Sequence, residues 1–335
     1  MKACVLINKN IIEYKEVPTP ILKSEEVLLN VKACGICSSD FNRVYKDSAY
    51  FFPIILGHEF SGKIVECAPD IDSNVYIGKK AVVFPLLPCK ECEYCKDKHY
   101  AQCKKYSYFG SRQNGAMAEY IAVPIWNIKL IPDDMSYSVA ALAEPAAVAC
   151  HSANKIDNPK GKSVCISGTG TIGILLGLNL KSKGANITFI VRNDKKKEIL
   201  KTLGFSNFIQ NECEQNFDVT IECVGTNDSL NNCIKYVKSR GLVILVGNPA
   251  SEMNLEKTLY WKLLRSEITL KGVWNSEYKS DIKDDWDSAI DFLYKNQSVA
   301  NLIITDRFKF EDGIKAFETV MNTDKISLKG MFENE

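Results

Sequence analysis

Four cysteines are concentrated in the fifteen residues CKECEYCKDKHYAQC, where chemistry is the first explanation to consider. Their spacing, Cys-x2-Cys-x2-Cys-x7-Cys, allows four thiolates to wrap one tetrahedral metal ion, and zinc accepts four sulfur ligands without redox chemistry. Such a closed set leaves no coordination position for a substrate. We therefore predict that Cys89, Cys92, Cys95 and Cys103 form a structural zinc site. The zinc would hold this lobe of the chain together. An iron–sulfur cluster and four free thiols are the alternatives.

The charge balance bears on whether this cluster is a zinc ribbon that binds nucleic acid. The chain of 335 residues has 42 Lys and Arg against 41 Asp and Glu, so its net charge is close to zero. Glu91, Glu93 and Asp97 also lie among the cysteines. A near-neutral chain lacks the basic footprint that suits nucleic acid or an anionic membrane surface. We predict a small-molecule partner, with no nucleic acid and no membrane.

A second set of potential metal ligands comes from separated segments. The segments CGICSSD and LGHEFSG supply Cys37, His58 and Glu59, and LAEPAAVACHS supplies Glu144. Mixed ligands from distant segments are typical of catalytic zinc, which keeps one position open for water or substrate. We predict such an open site at these four residues. For each residue taken alone, a structural role is the alternative.

Two further residues next to Cys37 are candidates for supporting roles. Asp40 could accept a hydrogen bond from the His58 imidazole and so fix its tautomer. Ser39 could pass on the proton of a substrate hydroxyl. Ser and Asp are also common in turns, so turn formation is the alternative for both.

A glycine-rich segment, SVCISGTGTIGILLGLNLKSKGA, predicts a strand, a tight loop and an apolar helix. In a GxGxxG loop of this kind, the glycines permit the turn, the approach of a pyrophosphate and close packing of the helix. The anion is then bound at the helix N-terminus. We predict a dinucleotide site that includes Gly168, Gly170, Thr171, Ile172 and Gly173. A glycine loop without a ligand is the alternative.

The end of the following strand bears on the choice of cofactor. A site selective for NAD carries an acidic residue there for the ribose 2′-hydroxyl, whereas NITFIV runs into Val191, Arg192 and Asn193. An arginine attracts a 2′-phosphate, and Lys195 to Lys197 add positive charge. We therefore favour NADP(H) over NAD(H). The alternative is that Arg192 caps a surface turn and Asp194 approaches the ribose.

The pattern of predicted strands and helices changes at two points along the chain. Up to about residue 150, short β-type runs such as KKAVVFPLLP are separated by Gly and Pro turns. From Gly161 strands and helices alternate, which predicts a parallel sheet with helices on both faces. After Trp274 we predict a helix in KDDWDSAIDFLYKN, a strand near 302–305 and a helix near 311–321. A chain longer than about 250 to 300 residues usually divides into two domains.

The sequence also indicates where the protein works. It contains no signal-peptide pattern and no run of about 18 apolar residues. Its 13 cysteines are odd in number and belong to a long chain, which argues against a secreted disulfide scaffold. We predict a reducing, cytoplasmic location.

Together these residues resemble the zinc-dependent medium-chain dehydrogenase/reductase family of alcohol and polyol dehydrogenases. The likeness extends over nearly the whole chain and is carried by CGICSSDFNRVY, LGHEFSGKIVE, the four-cysteine lobe, GAMAEYIAVP, LAEPAAVACHS, GTGTIG and FDVTIECVG. It implies an α/β fold with a GroES-like, β-rich catalytic domain in 1–145, completed by 276–335. It also implies a Rossmann domain with a doubly wound parallel sheet in 146–275, Val224 among the cofactor-binding residues, and a homodimer or homotetramer.

The resemblance implies the reaction as well. An alcohol would replace water or Glu144 at a zinc held by Cys37, His58 and Glu59, and its carbon would transfer hydride to NAD(P). The segments LLPCKECEYC, QCKKYSYFGSRQNGAMAEY and WKLLRSEITLKGVWNS are most similar to those of polyol-phosphate dehydrogenases. Asn42 stands where some relatives have a histidine that ends a proton relay. The residue that would release the proton to solvent is therefore not identified.

The substrate class follows from the same likeness. A secondary alcohol of a polyol or polyol phosphate is expected, and Arg43, Lys46 and Arg112 could bind a phosphate. Structural salt bridges are the alternative for these cations. The alternative functions are a dehydrogenase of an unphosphorylated polyol, a reductase that works towards the alcohol, and a cofactor-binding protein without catalytic activity.

Overall fold

The structure is a computed structural model that describes residues 1–46, 48–210, 214–279, 282–322 and 325–334. The chain divides into two compact units. The first unit combines Met1–Ala147 with Glu277–Glu335, and the second is Val148–Ser276.

The strands and helices follow one another along the chain with these bounds. Up to residue 153 they are β1 (Lys2–Asn8), β2 (Ile11–Glu16), β3 (Glu26–Gly35), α1 (Ser38–Tyr45), β4 (Ile54–Ile55), β5 (Glu59–Cys67), α2 (Ser73–Tyr76), β6 (Lys80–Val83), β7 (Leu86–Leu87), α3 (Glu93–Lys96), β8 (Ser107–Tyr108), β9 (Tyr120–Pro124), β10 (Ile128–Leu130), α4 (Tyr137–Ala140) and α5 (Ala143–Ala153). They continue with β11 (Ser163–Ser167), α6 (Thr171–Ser182), β12 (Asn186–Ile190), α7 (Asp194–Thr202), β13 (Asn207–Ile209), β14 (Phe217–Glu222), α8 (Asn227–Tyr236), β15 (Val237–Leu245), α9 (Lys257–Arg265) and β16 (Thr269–Gly272). The last are α10 (Asp285–Lys295), α11 (Gln297–Ile303), β17 (Ile304–Phe308), α12 (Gly313–Met321) and β18 (Lys329–Glu333).

The first unit is dominated by largely antiparallel β-sheets. Its main sheet has the order β10-β6-β5-β3-β18-β17, and β9 also pairs with β3. The central strand β3 is buried at seven of its ten residues, as expected for a strand in the middle of the sheet. The C-terminal strand β18 pairs with β3, and β3 pairs with β5. The end of the chain is thereby brought close to Glu59, the first residue of β5.

An aromatic cluster packs the C-terminal segment of the first unit against its N-terminal part. Phe84 stacks on Tyr278 with ring centroids 4.4 Å apart, and Trp286 meets Phe84 edge-on at 5.7 Å. Trp126 contacts Tyr278 at 5.0 Å and also contacts Tyr100 at 5.0 Å. Because Tyr100 lies between Cys95 and Cys103, this cluster connects the cysteine lobe to the buried aromatic side chains of the unit.

The second unit is built on a parallel six-stranded sheet. Its order is β13-β12-β11-β14-β15-β16, and every neighbouring pair is parallel. Numbered from β11 along the chain, this is the order 3-2-1-4-5-6 of a doubly wound dinucleotide-binding sheet. The prediction of a parallel sheet with alternating helices is confirmed. In such sheets, ligands bind beyond the carboxyl ends of the strands where the order reverses, here between β11 and β14.

The C-terminal elements agree only in part with the sequence prediction. Helix α10 lies within KDDWDSAIDFLYKN and α12 lies within the last predicted helix. The strand expected near 302–305 is displaced, because α11 extends to Ile303 and β17 begins at Ile304. Ala300 and Ile303 are both buried and lie three residues apart, so they share a helical face. A short apolar run does not reveal this difference.

The search for membrane-spanning helices covered the described residues. Within them, each helix is too short or too polar to cross a bilayer.

Candidate metal centres and cofactor loop

The four cysteines of the lobe lie together in the structure. Their sulfur atoms all lie within 4.8 Å of one another. Cys89 Sγ and Cys95 Sγ are 3.9 Å apart, and Cys92 Sγ and Cys95 Sγ are 3.6 Å apart. Zinc–sulfur bonds of about 2.3 Å in a tetrahedron place the sulfurs roughly 3.8 Å apart. The sulfur spacing therefore fits a closed four-thiolate zinc site.

Local backbone groups of the lobe favour the thiolate form that a metal requires. Hydrogen bonds from the backbone N–H groups of Lys104 and Cys95 lower the pKa of Cys92 to about 6. The N–H of Cys89 donates to Cys103 Sγ at 3.2 Å. These groups stabilise negative charge on sulfur before any metal binds.

A variant of the lobe tests its proposed metal content. We expect Cys92→Ser to lower zinc from about two to about one per chain, because a closed site that loses one of four thiolates binds zinc far more weakly. Elemental analysis of the purified variant measures this directly. Cys67→Ser is the matched control, since Cys67 is half-buried and lies outside the two candidate ligand sets. An unchanged two zincs in Cys92→Ser would contradict the assignment of this residue.

The second ligand set is formed by Cys37, His58 and Glu59. One ligand atom from each lies within 4.8 Å of the other two. Cys37 is the N-cap of α1, and Glu59 begins β5 directly after His58. His58 and Glu59 are buried, with 4% and 2% of their surface exposed, whereas Cys37 is half-buried. Two members of the set are thus enclosed by the protein, and Cys37 is the most exposed of the three.

Asp40 supports this ligand set from the first turn of α1. Its carboxylate accepts the N–H of Cys37 at 3.1 Å and a hydrogen bond from Arg43 at 3.0 Å. Asp40 Oδ1 lies 3.6 Å from His58 Nδ1, slightly beyond hydrogen-bond length, and among the described residues Nδ1 has no closer partner. Ser39 Oγ donates to Cys37 Sγ at 3.3 Å and accepts from Arg43 at 2.9 Å.

The charges around His58 show how strongly this site favours a cation. Burial lowers the pKa of His58, but the nearby Asp40 carboxylate and Cys37 sulfur, together with Glu144, raise it overall to about 10. Negative groups therefore converge on the imidazole. A soft sulfur, an imidazole and a carboxylate in one half-open cluster are a donor set that fits catalytic zinc.

Glu59 has a buried cationic partner that the sequence gave no reason to expect. Lys329, at the start of β18, donates to Glu59 Oε2 at 2.6 Å and to the carbonyl of Ile36 at 3.1 Å. Burial lowers the pKa of Lys329, but the charge of Glu59 raises it overall. Gly35 allows the approach, because a Cβ at this position would lie 2.4 Å from Glu59 Oε2.

Glu144 lies near this set but is not part of it. It is half-buried in the first turn of α5, and the hydroxyl of Tyr108 donates to its Oε1 at 3.1 Å. Burial raises the pKa of Glu144 to about 7, with the charge of Glu59 adding to the rise and His58 opposing it. The ligand atoms of Cys37, His58 and Glu59 form a compact set without it. Its role as a zinc ligand stays a prediction.

The glycine loop lies at the carboxyl end of β11. Gly168 has φ of +125°, a conformation that suits glycine, and a Cβ on Gly173 would lie 2.2 Å from the carbonyl oxygen of Gly168. A Cβ on Gly170 would meet nothing within 4 Å, so the loop is open there. Thr171 and Ile172 begin helix α6. The strand, the open loop and the helix N-terminus fit the pyrophosphate of a dinucleotide.

The other predicted cofactor residues lie near strand ends of the second unit. Val191 is buried directly after β12, and Arg192 is exposed next to it. The N–H of Val224 donates to the buried Glu222 carboxylate at 2.6 Å, and so does that of Gly225 at 2.7 Å. Glu222 was not identified from the sequence. It fixes the turn after β14, on the neighbouring strand to the glycine loop.

The three cations predicted to bind phosphate have different surroundings. Arg43 is bonded to Ser39 and Asp40, as described above. Arg112 lies between two tyrosine rings, 4.9 Å from the centroid of Tyr50 and 4.0 Å from that of Tyr106. Lys46 is exposed at the end of α1. Phosphate binding by these residues stays a prediction.

Comparison with known proteins identifies the family. The model of the alcohol dehydrogenase GroES-like domain matches residues 23–133, and that of the zinc-binding dehydrogenase domain matches residues 171–295. The chain belongs to the zinc-dependent alcohol dehydrogenases of the medium-chain dehydrogenase/reductase family. It is an oxidoreductase that acts on CH–OH groups with zinc and a nicotinamide cofactor, and its GroES-like and Rossmann domains confirm the predicted fold.

Individual relatives within this family are similar to the chain over nearly its whole length. Galactitol 1-phosphate 5-dehydrogenase of Escherichia coli (strain K12) is 30% identical over 334 residues, covering 96% of each chain. D-arabitol-phosphate dehydrogenase of Enterococcus avium is 29% identical, covering 93% of this chain and 92% of the relative. The crystal structure of galactitol-1-phosphate dehydrogenase from Escherichia coli superposes with a TM-score of 0.91 at 28% identity, covering 100% of both chains.

Proposed function

We propose that the protein oxidises a secondary alcohol of a polyol phosphate, with NADP⁺ as the hydride acceptor. The observation that carries this proposal is the half-open cluster of Cys37, His58 and Glu59, whose ligand atoms lie within 4.8 Å of one another. Zinc bound there would lower the pKa of an alcohol hydroxyl, and the nicotinamide would accept hydride from the carbon that bears it. The products are a ketone, NADPH and a proton.

The chain's own residues have distinct proposed roles in this reaction. Cys37, His58 and Glu59 would hold the metal, and the negative charge of Asp40, 3.6 Å from His58 Nδ1, would favour a proton on that nitrogen. Ser39 Oγ has two acceptor lone pairs, of which Arg43 occupies one. The other can accept a hydrogen bond from the alcohol hydroxyl, and Ser39 would release its own proton towards solvent as it takes up that of the alcohol. Gly168, Gly170 and Gly173 would hold the pyrophosphate, as in other sheets of this order.

The choice of a phosphorylated substrate is supported by two observations. Relatives that match at 30% and 29% identity are named for phosphorylated polyols. The chain also has basic side chains on segments that adjoin the proposed site in sequence: Lys46 is exposed at the end of α1, and the Arg112 guanidinium contacts the rings of Tyr50 and Tyr106. Arginine binds a phosphate through two parallel hydrogen bonds.

A substrate panel tests this choice. We expect kcat/KM for a polyol phosphate to exceed that for the free polyol by roughly a hundredfold or more, since a charge-assisted contact contributes about 1.5 to 3 kcal/mol and two such contacts are proposed. Initial rates for matched pairs of galactitol, arabitol and sorbitol with their phosphate esters provide the comparison. Arg112→Gln should lower the preference, with Arg265→Gln, in the second unit, as the control. Preference for the free polyol would favour the unphosphorylated alternative.

The preference for NADP(H) is proposed from the end of β12. Arg192 is exposed beside the buried Val191, where it can meet a 2′-phosphate. We expect Arg192→Gln to lower kcat/KM for NADP⁺ by roughly tenfold and to leave the value for NAD⁺ nearly unchanged. Arg240→Gln is the matched control, because Arg240 is exposed near the amino end of β15, away from the strands' carboxyl ends. A wild-type protein that prefers NAD⁺ would contradict the proposal.

Two further properties are proposed with the function. We propose a homodimer or homotetramer, supported by Tyr260, Trp261 and Leu264 on α9, which are 53%, 47% and 61% exposed. A light-scattering mass of a single 37.6 kDa chain would contradict it.

We also propose a cytoplasmic location. It is supported by Cys37, Cys89, Cys92, Cys95 and Cys103, which are thiols in the structure, the form that a reducing compartment maintains and a thiolate metal site requires.

A further inference from the structure

Two carboxylates lie near Cys37 and His58, and they are held in different ways. Glu59 belongs to the compact ligand set, whereas Glu144 lies outside it. The hydroxyl of Tyr108 donates to Glu144 Oε1 at 3.1 Å. The ring of Tyr108 also meets the ring of His58 edge-on, with centroids 5.6 Å apart and planes at 64°. One side chain thus contacts both a proposed metal ligand and the carboxylate that is separate from the set.

The backbone of Tyr108 is fixed more firmly than that of an ordinary loop residue. Tyr108 is in β8, where it pairs with Leu86 of β7. Its carbonyl oxygen accepts the N–H groups of the following turn at 3.3, 3.0 and 3.3 Å, from Ser111, Arg112 and Gln113. Glu144 is on a helix. Because both partners lie on ordered elements, their hydrogen bond holds a defined position of the carboxylate.

We propose that Tyr108 is a positioning residue that keeps Glu144 away from the metal and so leaves a coordination position for the alcohol. This inference rests on the proposed function. Glu144 lies outside the ligand set, so its carboxylate must move to bind a metal held by Cys37, His58 and Glu59. The Tyr108 hydroxyl, 3.1 Å from Oε1, opposes that movement by holding one of the two carboxylate oxygens. Without the hydroxyl, Glu144 competes with the alcohol for the metal.

The variant Tyr108→Phe isolates the effect, because it removes the hydroxyl and keeps the ring against His58. We expect the dissociation constant for zinc at this site, measured by chelator competition, to fall roughly tenfold as Glu144 becomes a ligand. The KM for the alcohol should rise by a similar factor, with a smaller change in kcat. In a Glu144→Gln background, Tyr108→Phe should change neither the zinc dissociation constant nor the KM. If Tyr108 had only a structural role, its replacement would have the same effect in both backgrounds.

Cobalt provides a readout that does not depend on activity. With Co²⁺ in place of zinc, the absorption spectrum reports the number and type of ligands. Subtracting the spectrum of the Cys37→Ala variant removes the contribution of the four-cysteine lobe. We expect Tyr108→Phe to shift the remaining visible bands, whereas Tyr106→Phe should leave them unchanged.

The possible failures are distinguishable. If wild type and Tyr108→Phe both bind about two cobalt ions per chain with identical spectra and affinities, the positioning role is wrong and the proposed function is unaffected. If wild type shows no band that depends on Cys37, the proposed metal site fails and the positioning role fails with it.

Discussion

Cys37→Ala is expected to lower kcat/KM for alcohol oxidation by about a thousandfold or more. Cys37 contributes the one sulfur of the proposed catalytic ligand set and its most accessible member. Metal polarisation of a reacting oxygen is worth several kcal/mol, and each 1.4 kcal/mol corresponds to about a factor of ten in rate. Steady-state kinetics with saturating cofactor measures the loss. Binding of NADPH, followed by its fluorescence, should stay within about twofold of wild type, because the glycine loop belongs to the other unit.

The control for this variant is Cys67→Ala. Cys67 is a half-buried cysteine of the same unit, at the end of β5, and belongs to neither ligand set. We expect it to retain near wild-type turnover and two zincs per chain. Full activity in Cys37→Ala would show that the Cys37 sulfur is not a ligand of the catalytic metal. A loss of NADPH binding together with the loss of activity would indicate a general folding defect instead.

In the zinc-free protein, where no metal compensates the charge of Glu59, Lys329→Met is expected to lower the free energy of unfolding of the first unit by about 3 to 5 kcal/mol. The ammonium of Lys329 lies 2.6 Å from Glu59 Oε2, and their side chains are 4% and 2% exposed. Removing one partner of a buried ion pair leaves an uncompensated charge in a poorly solvated position, which is more costly than losing a surface pair. Urea unfolding, monitored by circular dichroism, measures the change.

Two further variants identify the cause of that loss. Lys15→Met removes a surface pair of the same unit, in which Lys15 and Glu13 are 42% and 52% exposed, and should cost less than about 1 kcal/mol. The double variant Lys329→Met with Glu59→Gln should recover much of the stability, because a neutral amide tolerates burial better than a lone carboxylate. If the double variant is as unstable as the single one, the lost contribution is packing rather than charge.

The four-cysteine set and the glycine loop could be proposed from the sequence because their patterns are local. Cys89, Cys92 and Cys95 are three residues apart, and a glycine loop between a strand and a helix is recognised by its spacing. The parallel sheet with helices followed from the alternation of strand-like and helix-like runs, although its edge strands β13 and β16 were not identified. These features depend on short-range geometry, which the order of residues determines directly.

Lys329 and Tyr108 were not predictable in the same way. Lys329 lies in SLKGMFE, where nothing marks it as buried, and it reaches Glu59 only because β18 pairs with β3 and β3 with β5. The Tyr108 hydroxyl could have faced solvent in any short strand. Their roles depend on contacts between residues far apart in sequence, 270 positions for Lys329 and Glu59, and 36 for Tyr108 and Glu144. The one available signal was the glycine at 35, which leaves room for the Glu59 carboxylate.

The aromatic contacts around Trp126 give the cysteine lobe an optical readout. Trp126 touches Tyr100, which lies inside the lobe's chain loop, and Lys90 of the same lobe has its ammonium 4.9 Å from the Trp126 ring centroid. Indole emission responds to nearby charge and polarity, so loosening of the lobe alters the light that this residue emits. Removal of the proposed structural zinc is therefore expected to change the protein's own fluorescence, without a label.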